Sequence, residues 1–230
     1  MNADPKPTPS APSGAPLDAT QSASPTRMAL VWPARAHLAS YVAALERGWS
    51  PNNLRPEAGR EELVQIQADP DAFLASLVDI EGRGAPVKQP NGSFVQRLPG
   101  YRRWMWATSD VEGAAGDAAG EFCGSIGFRW QKGSNALPPY CLGHIGYAVV
   151  PWQQRRGYAT QALAQLLREA PEQGLTYVEI TTEPDNKPSQ RVILANGGFL
   201  VEEFISSAES GGLKKLLFRV DLLPQASIRS

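Results

Sequence analysis

From Gly143 to Leu167 the sequence reads GHIGYAVVPWQQRRGYATQALAQLL, and no other stretch restricts the fold as tightly. An apolar strand pattern over residues 144–150 stops at Pro151, which cannot donate into a sheet ladder. The chain then passes through Gln154, Arg155, Arg156 and Gly157 into a helix expected over residues 157–170, with Ala162, Leu163, Leu166 and Leu167 facing a core. A nearly continuous apolar strand follows over residues 175–182. Strand, helix and strand within so short a span predict a right-handed parallel unit.

The first turn of a helix carries backbone N–H groups without internal partners and the positive end of the helix dipole. Gly157 lets a ligand approach that backbone closely, and Arg155 and Arg156 add positive charge at its rim. Together they read as a pyrophosphate cradle, although a solvated turn has a similar composition. The segment is not a nucleotide P-loop, which needs two spaced glycines and a Lys-Ser/Thr pair. Nor does it hold the dinucleotide fingerprint, since Gly157 has no partner glycine two residues on.

The rest of the chain frames this unit. Residues 1–26 contain six prolines, five alanines and seven Ser/Thr, with Leu17 the only large aliphatic residue, and are expected to be a disordered tail. One domain is expected over residues 27–223, followed by a short tail over residues 224–230. A short apolar run at Met28–Trp32 comes first, and Pro33 opens a helix carrying Leu38, Tyr41, Val42 and Leu45 and ending at Gly48. Asp69 and Pro70 announce another, with Phe73, Leu74, Leu77 and Val78 on its apolar face and Gly82 as its stop. Between Glu57 and Glu81 there are seven carboxylates and one cation, Arg60, which reads as a solvated helical surface or as a field for a cationic substrate. Strands are expected over residues 93–98, 101–109 and 121–130, a short helix over 189–196, and a closing hairpin over 199–204 and 213–220. The whole is a mixed α+β or α/β domain.

Charge and composition exclude several functions. With 22 Lys and Arg against 23 Asp and Glu, no basic field exists to hold nucleic acid or an anionic membrane. No run approaches the roughly 20 apolar residues of a membrane span. The only histidines are His37 and His144, and Cys123 and Cys141 have no zinc spacing, so no metal site is expected. Both cysteines read as small buried hydrophobes.

The segment Gln154-Arg155-Arg156-Gly157-Tyr158-Ala159 resembles the Gln/Arg-x-x-Gly-x-Gly/Ala signature of GNAT-type N-acetyltransferases. Three further features resemble that family in order and spacing: the preceding strand ending in proline, Asn186 with Ser189 three residues later, and Gly197-Gly198-Phe199 closing the short helix. The resemblance implies a GNAT-like domain with a central, mostly antiparallel sheet, a parallel β-α-β cofactor unit and helices on both faces. It implies acetyl-CoA as co-substrate, with Gln154, Arg155, Arg156, Gly157, Tyr158, Ala159 and Thr160 at the pyrophosphate. The pantetheine arm would pair with Ala148, Val149 and Val150, a backbone N–H near Val149 would stabilise the oxyanion, and Asn186 and Ser189 would lie beside the leaving thiol. Many members place a tyrosine seven residues after the asparagine as general acid, and that position here is Ile193.

The implied reaction is direct attack of a primary amine on acetyl-CoA, the amine being a small molecule, a peptide N-terminus or a lysine, in the cytoplasm. Glu179, a carboxylate in an apolar strand, and His144 are candidate bases, and Tyr147 is a candidate acid or substrate contact. Each has a plainer reading: Glu179 a carboxylate at the sheet edge or paired with an arginine, His144 a hydrogen-bonded structural histidine, Tyr147 a core residue. Trp104 and Trp106 either line an acceptor pocket or pack in the core, and Trp152 is expected to cover the cofactor. A catalytically weak CoA sensor and a protein-interaction module tethered by the tail are the alternatives. The C-terminal hairpin leaves a homodimer open.

Overall fold

The computed structural model describes residues 27–53, 55–88, 92–108, 120–207 and 212–222. The proposed tails and most of the loop between the second and third expected strands lie outside these residues. The described elements run β1 (Arg27–Val31), α1 (Arg35–Glu46), α2 (Ala58–Ala68), α3 (Pro70–Ser76), β2 (Val78–Asp79), β3 (Val87–Lys88), β4 (Phe94–Val95), β5 (Gly100–Thr108) and β6 (Glu121–Arg129). They continue with β7 (Ile145–Val149), α4 (Tyr158–Glu169), β8 (Tyr177–Thr182), α5 (Lys187–Ala195), β9 (Phe199–Ile205) and β10 (Lys214–Asp221).

One sheet has the order β1-β5-β6-β7, with β2 on the outer end of β5, and another has the order β8-β10-β9; all of these pairings are antiparallel. The expected parallel pairing of β7 with β8 is reduced to one backbone bond, from the His144 N–H to the Glu179 carbonyl at 2.7 Å. Gly143 makes this approach feasible, since a Cβ there would lie 3.2 Å from the Glu179 carbonyl. Beyond it the strands form no ladder, and the mixed α/β fold carries a gap at that point.

Period-two alternation splits the core across the first sheet. Met105, Ile126, Phe128 and Ile145 pack under α4 and α5, where Leu163, Leu166 and Ile193 are fully buried. Trp104, Trp106, Phe122, Ala148 and Val150 face the opposite way, under α1 and α3. There Tyr41 stacks on Trp104 with centroids 4.4 Å apart and planes at 13°, worth about 0.5–1.5 kcal/mol beyond the area it buries. Trp104 and Trp106 are therefore core residues. Trp152 belongs to this cluster too, with the Arg47 guanidinium 3.5 Å over its ring, so it does not cover the cleft described below.

Several local expectations shift. Pro33 precedes α1, which opens on Ala34 without a side-chain cap. Asp69 caps α3 as expected, its Oδ1 accepting from Asp71 and Ala72 N–H at 3.0 Å. That helix ends at Ser76, well short of Gly82, because Val78 and Asp79 are drawn into β2 against Tyr101 and Gly100. The strand expected over 93–98 contracts to Phe94–Val95, paired with β3.

The acidic run is not a free field. Glu57 and Glu61 pair with Arg55, Glu62 with Arg102, Asp71 with Arg35 and Glu81 with Lys132. Asp69 is the cap, and Asp79 accepts from the N–H groups of Arg83 and Gly84 at 2.9 and 2.8 Å.

Candidate active site

The gap between β7 and β8 is the start of a cleft of about 1510 Å³. Its chemistry follows from the strand alternation. The Val150 N–H donates to Cys123 O at 3.0 Å, so alternate residues of β7 address β6. Tyr147 and Val149 therefore turn their N–H and C=O groups away from β6, into the gap. The side chains of Ile145, Tyr147 and Val149 join the core on the α4 and α5 side, whereas Ala148 and Val150 face α1.

After one turn of 3-10 helix at Pro151–Gln153, the loop reverses with Arg155 at φ 64° and Gly157 at φ 78°, both left-handed. Gly157 is the N-cap residue of α4 and supplies no capping side chain. Apart from the Gln161 Nε2 at 3.8 Å, nothing lies within 4 Å of where its Cβ would be, so the backbone is open to an approaching group. The first-turn N–H groups of Tyr158, Ala159 and Thr160 have no i−4 partners within the helix. The side chain of Tyr158 is buried in the core, so this residue offers its backbone to the cleft.

Across the gap, the Asn186 Oδ1 caps α5 by accepting from Ser189 N–H at 3.1 Å. The hydroxyls of Ser189 and Tyr147 lie 2.9 Å apart. Burial pushes the Tyr147 phenol up to about 12, against a smaller lowering by Ser189, so it is protonated at neutral pH. Asn196 ties α5 to the cradle through its Nδ2, 3.2 Å from Thr160 O.

Tyr147, Ala148, Val149, Gln154, Arg155, Gly157, Tyr158, Ala159, Thr160, Asn186 and Ser189 all line this one cleft, whereas Val150, Arg156, His144 and Glu179 do not. His144 is fully buried, its Nδ1 accepting from the Glu179 N–H at 2.9 Å. Burial lowers its pKa, opposed by the Glu179 charge. Glu179 stands opposite Arg219 in the β8–β10 register, and the guanidinium Nη2 holds its carboxylate at 2.8 Å. Both residues match their plainer readings. Ile193 is fully buried and presents nothing to the cleft.

Several charged residues of the cleft were not singled out in the sequence, among them Arg129, Arg191, Glu183 and Lys215. Glu183 follows β8 directly and pairs with Lys215 at 2.5 Å, the lysine being only 3% exposed. Burial acts to raise the Glu183 pKa, but the Lys215 hydrogen bond and charge, with help from Asn186, hold it below the usual range. Cys123 lies off the cleft, and burial pushes its thiol up to about 12. Among the described residues no group of His, Cys, Asp and Glu is arranged to hold a metal ion, and no helix is long and apolar enough to cross a membrane.

Residues 53–198 match the family model of an acetyltransferase (GNAT) domain. Among curated proteins no sequence relative is found. A ribosomal L7/L12 α-N-protein acetyltransferase in complex with coenzyme A superposes with a TM-score of 0.50 at 15% identity, covering 87% of this chain and 96% of its own. The microcin C7 self-immunity acetyltransferase MccE, in complex with acetyl-CoA and AMP, gives 0.46 at 14% identity over 84% and 92%. An acetyltransferase from Agrobacterium tumefaciens gives 0.46 at 18% identity over 86% and 94%. At these identities the first likeness is one of fold.

Proposed function

Since the chain belongs to the GNAT acetyltransferase family, we propose that it is an acyltransferase that moves the acetyl group of acetyl-CoA to a primary amine. The observation that carries the reading is the convergence, in one cleft, of the bare N-terminus of α4, the inward-turned backbone of Tyr147 and Val149, and the paired hydroxyls of Tyr147 and Ser189. Coenzyme A bound to a protein of the same fold supports the choice of co-substrate.

Acetyl-CoA supplies an activated acetyl thioester, and each neighbouring residue has a defined part. The N–H groups of Gly157 through Thr160 meet the pyrophosphate, with Arg155 and, from the rim, Arg156 adding charge. Tyr147 and Val149 offer backbone groups to the arm, and the Val149 N–H donates to the thioester oxygen as negative charge builds there. Asn186 and Ser189 fix the end of α5 beside the thiol. Tyr147 takes the acid role that Ile193 cannot fill, its hydroxyl protonated and oriented by Ser189. Its pairing with Arg219 keeps Glu179 from the base role, and the buried, neutral His144 is a positioning group for β8. The amine proton leaves through cleft water. A domain over residues 27–223 that acts in the cytoplasm belongs to the same proposal.

The test is thiol release from acetyl-CoA with a panel of primary amines. Amine-dependent release together with acetylated product supports the reading. Binding of acetyl-CoA without release on any amine would favour a sensor, and absence of both would overturn it.

A further inference from the structure

The face of the first sheet opposite α4 is only half covered. Helices α1 and α3 pack over Trp104, Trp106, Phe122 and Ala148. The neighbouring cross-strand row is Arg102, Gly127 and Gly146, set by the registers of β5, β6 and β7. Two adjacent glycines leave a furrow in the sheet, and Gly146 is exposed to the cleft. A Cβ at Gly127 would meet nothing closer than 3.8 Å. At Gly146 it would meet only the Arg129 Nη2, at 3.4 Å. The Arg129 guanidinium therefore lies over the floor of this furrow.

Arg129 is exposed; its backbone N–H donates to His144 O at 2.9 Å, but its guanidinium makes no hydrogen bond or ion pair with the described residues. Its cleft-lining neighbours differ: Arg102 is held by Glu62, Lys215 by Glu183, and Arg97 donates to Ala85 O. The cleft's carboxylates are equally committed. Among its described lining residues there are six cations and two carboxylates, Asp79 and Glu183. Asp79 is satisfied by backbone N–H groups and Glu183 by Lys215. Arg155 and Arg191 account for positive charge at the cradle end, since α5 is tied to Thr160 there. Arg129 puts uncompensated positive charge at the other end. A cationic acceptor meets no free carboxylate among the described residues that line the cleft.

We propose that the acceptor amine carries an oxyanion, carboxylate or phosphate, which Arg129 holds over the Gly127–Gly146 furrow. This rests on the acyltransferase reading above. Gly146 and Val149 are three residues apart on β7, about 10 Å at a strand's rise. An acceptor whose two groups share one carbon is too short for that span, and a linear one of six or so carbons is suited to it. The planar guanidinium accepts either anion through paired N–H donors.

The experiment compares hexylamine, hexamethylenediamine, ε-aminocaproate and aminohexyl phosphate as acceptors for the full chain and for Arg129→Gln. Wild type is expected to favour the two anionic amines by about ten- to a hundredfold in kcat/KM over hexylamine, the worth of one charge-assisted contact. The diamine is expected to be the poorest. Arg129→Gln collapses the ratio of anionic to neutral acceptor towards one. Whichever anion gains more identifies the source. Calorimetry with the non-reactive hexanoate and hexyl phosphate reads the subsite without chemistry, and their binding is expected to be lost in the variant. Equal use of all four amines, a preference that survives in Arg129→Gln, or absence of binding by both anions overturns the proposal. Failure of acetyl-CoA binding and thiol release instead overturns the acyltransferase reading, and the binding arm still reports on Arg129.

Discussion

Tyr147→Phe separates catalysis from packing. The ring packs with Ile145 and Val149 against the α4-side core, and phenylalanine keeps that volume, so no cavity opens. The substitution removes a 2.9 Å contact with the Ser189 hydroxyl. Ser189 lines the cleft, so water can replace the lost partner, and the stability cost is that of one ordinary hydrogen bond, about 1 kcal/mol. For a domain of this size that lowers Tm by about 2–4 °C. The catalytic cost is larger. A positioned acid contributes about 10²–10⁴-fold, and a thiolate needs less help than an alkoxide, so kcat should fall by about 10²-fold. With its pKa pushed up to about 12, Tyr147 stays protonated across the working range, and the wild type shows no alkaline loss of kcat from this group below about pH 10. The assay is thiol release at saturating acetyl-CoA and amine, with thermal melts on the same samples. A kcat within about threefold of wild type beside the expected change in Tm would refute the acid role and leave Tyr147 a packing residue.

Further outcomes follow from the charged groups. Glu62→Ala strips the partner from Arg102, whose side chain is 27% exposed, and leaves the Tyr41 hydroxyl without its acceptor; partial exposure discounts the cost to about 2–3 kcal/mol in urea denaturation. His144 has a folded pKa below its unfolded value near 6.5, so the unfolded chain binds more protons between the two, and stability rises with pH through that window. His144→Gln should flatten the slope. Glu183 has a folded pKa lowered from 4.5, so its contribution is present above that value and is lost as pH falls through the folded one, a loss that Glu183→Gln removes.

What was legible in the sequence is what local physics writes there. The 3.6-residue spacing of Ala162, Leu163 and Leu166 and the glycine ahead of them place α4 to within a residue or two. Asp69 before Pro70 marks the start of α3 for the same local reason. What the sequence left open depends on partners distant in the chain. Whether Glu179 is an isolated base or a paired carboxylate is decided only by β10, which brings Arg219 to it from 40 residues away. The same strand brings Lys215 to Glu183 across 32 residues, and a carboxylate in a Thr-Glu-Pro-Asp turn gives no sign of it. The choice between a solvated surface and a free field for the acidic run is decided likewise, since Arg35, Arg102 and Lys132 come from elsewhere in the chain. Arg129 had no signal of its own; its surroundings are two glycines on different strands that only register aligns.

Calorimetric titration of acetyl-CoA into the full chain, and into a Gly157→Glu variant checked for its fold by circular dichroism, tests the central claim most directly. Glutamate there places negative charge on the open backbone at φ 78°, where the pyrophosphate should rest. One-to-one binding by the wild type, lost in a folded variant, is the expected result. An absence of binding by the wild type, or equal binding by both proteins, would contradict the assignment of this cleft to the acetyl donor.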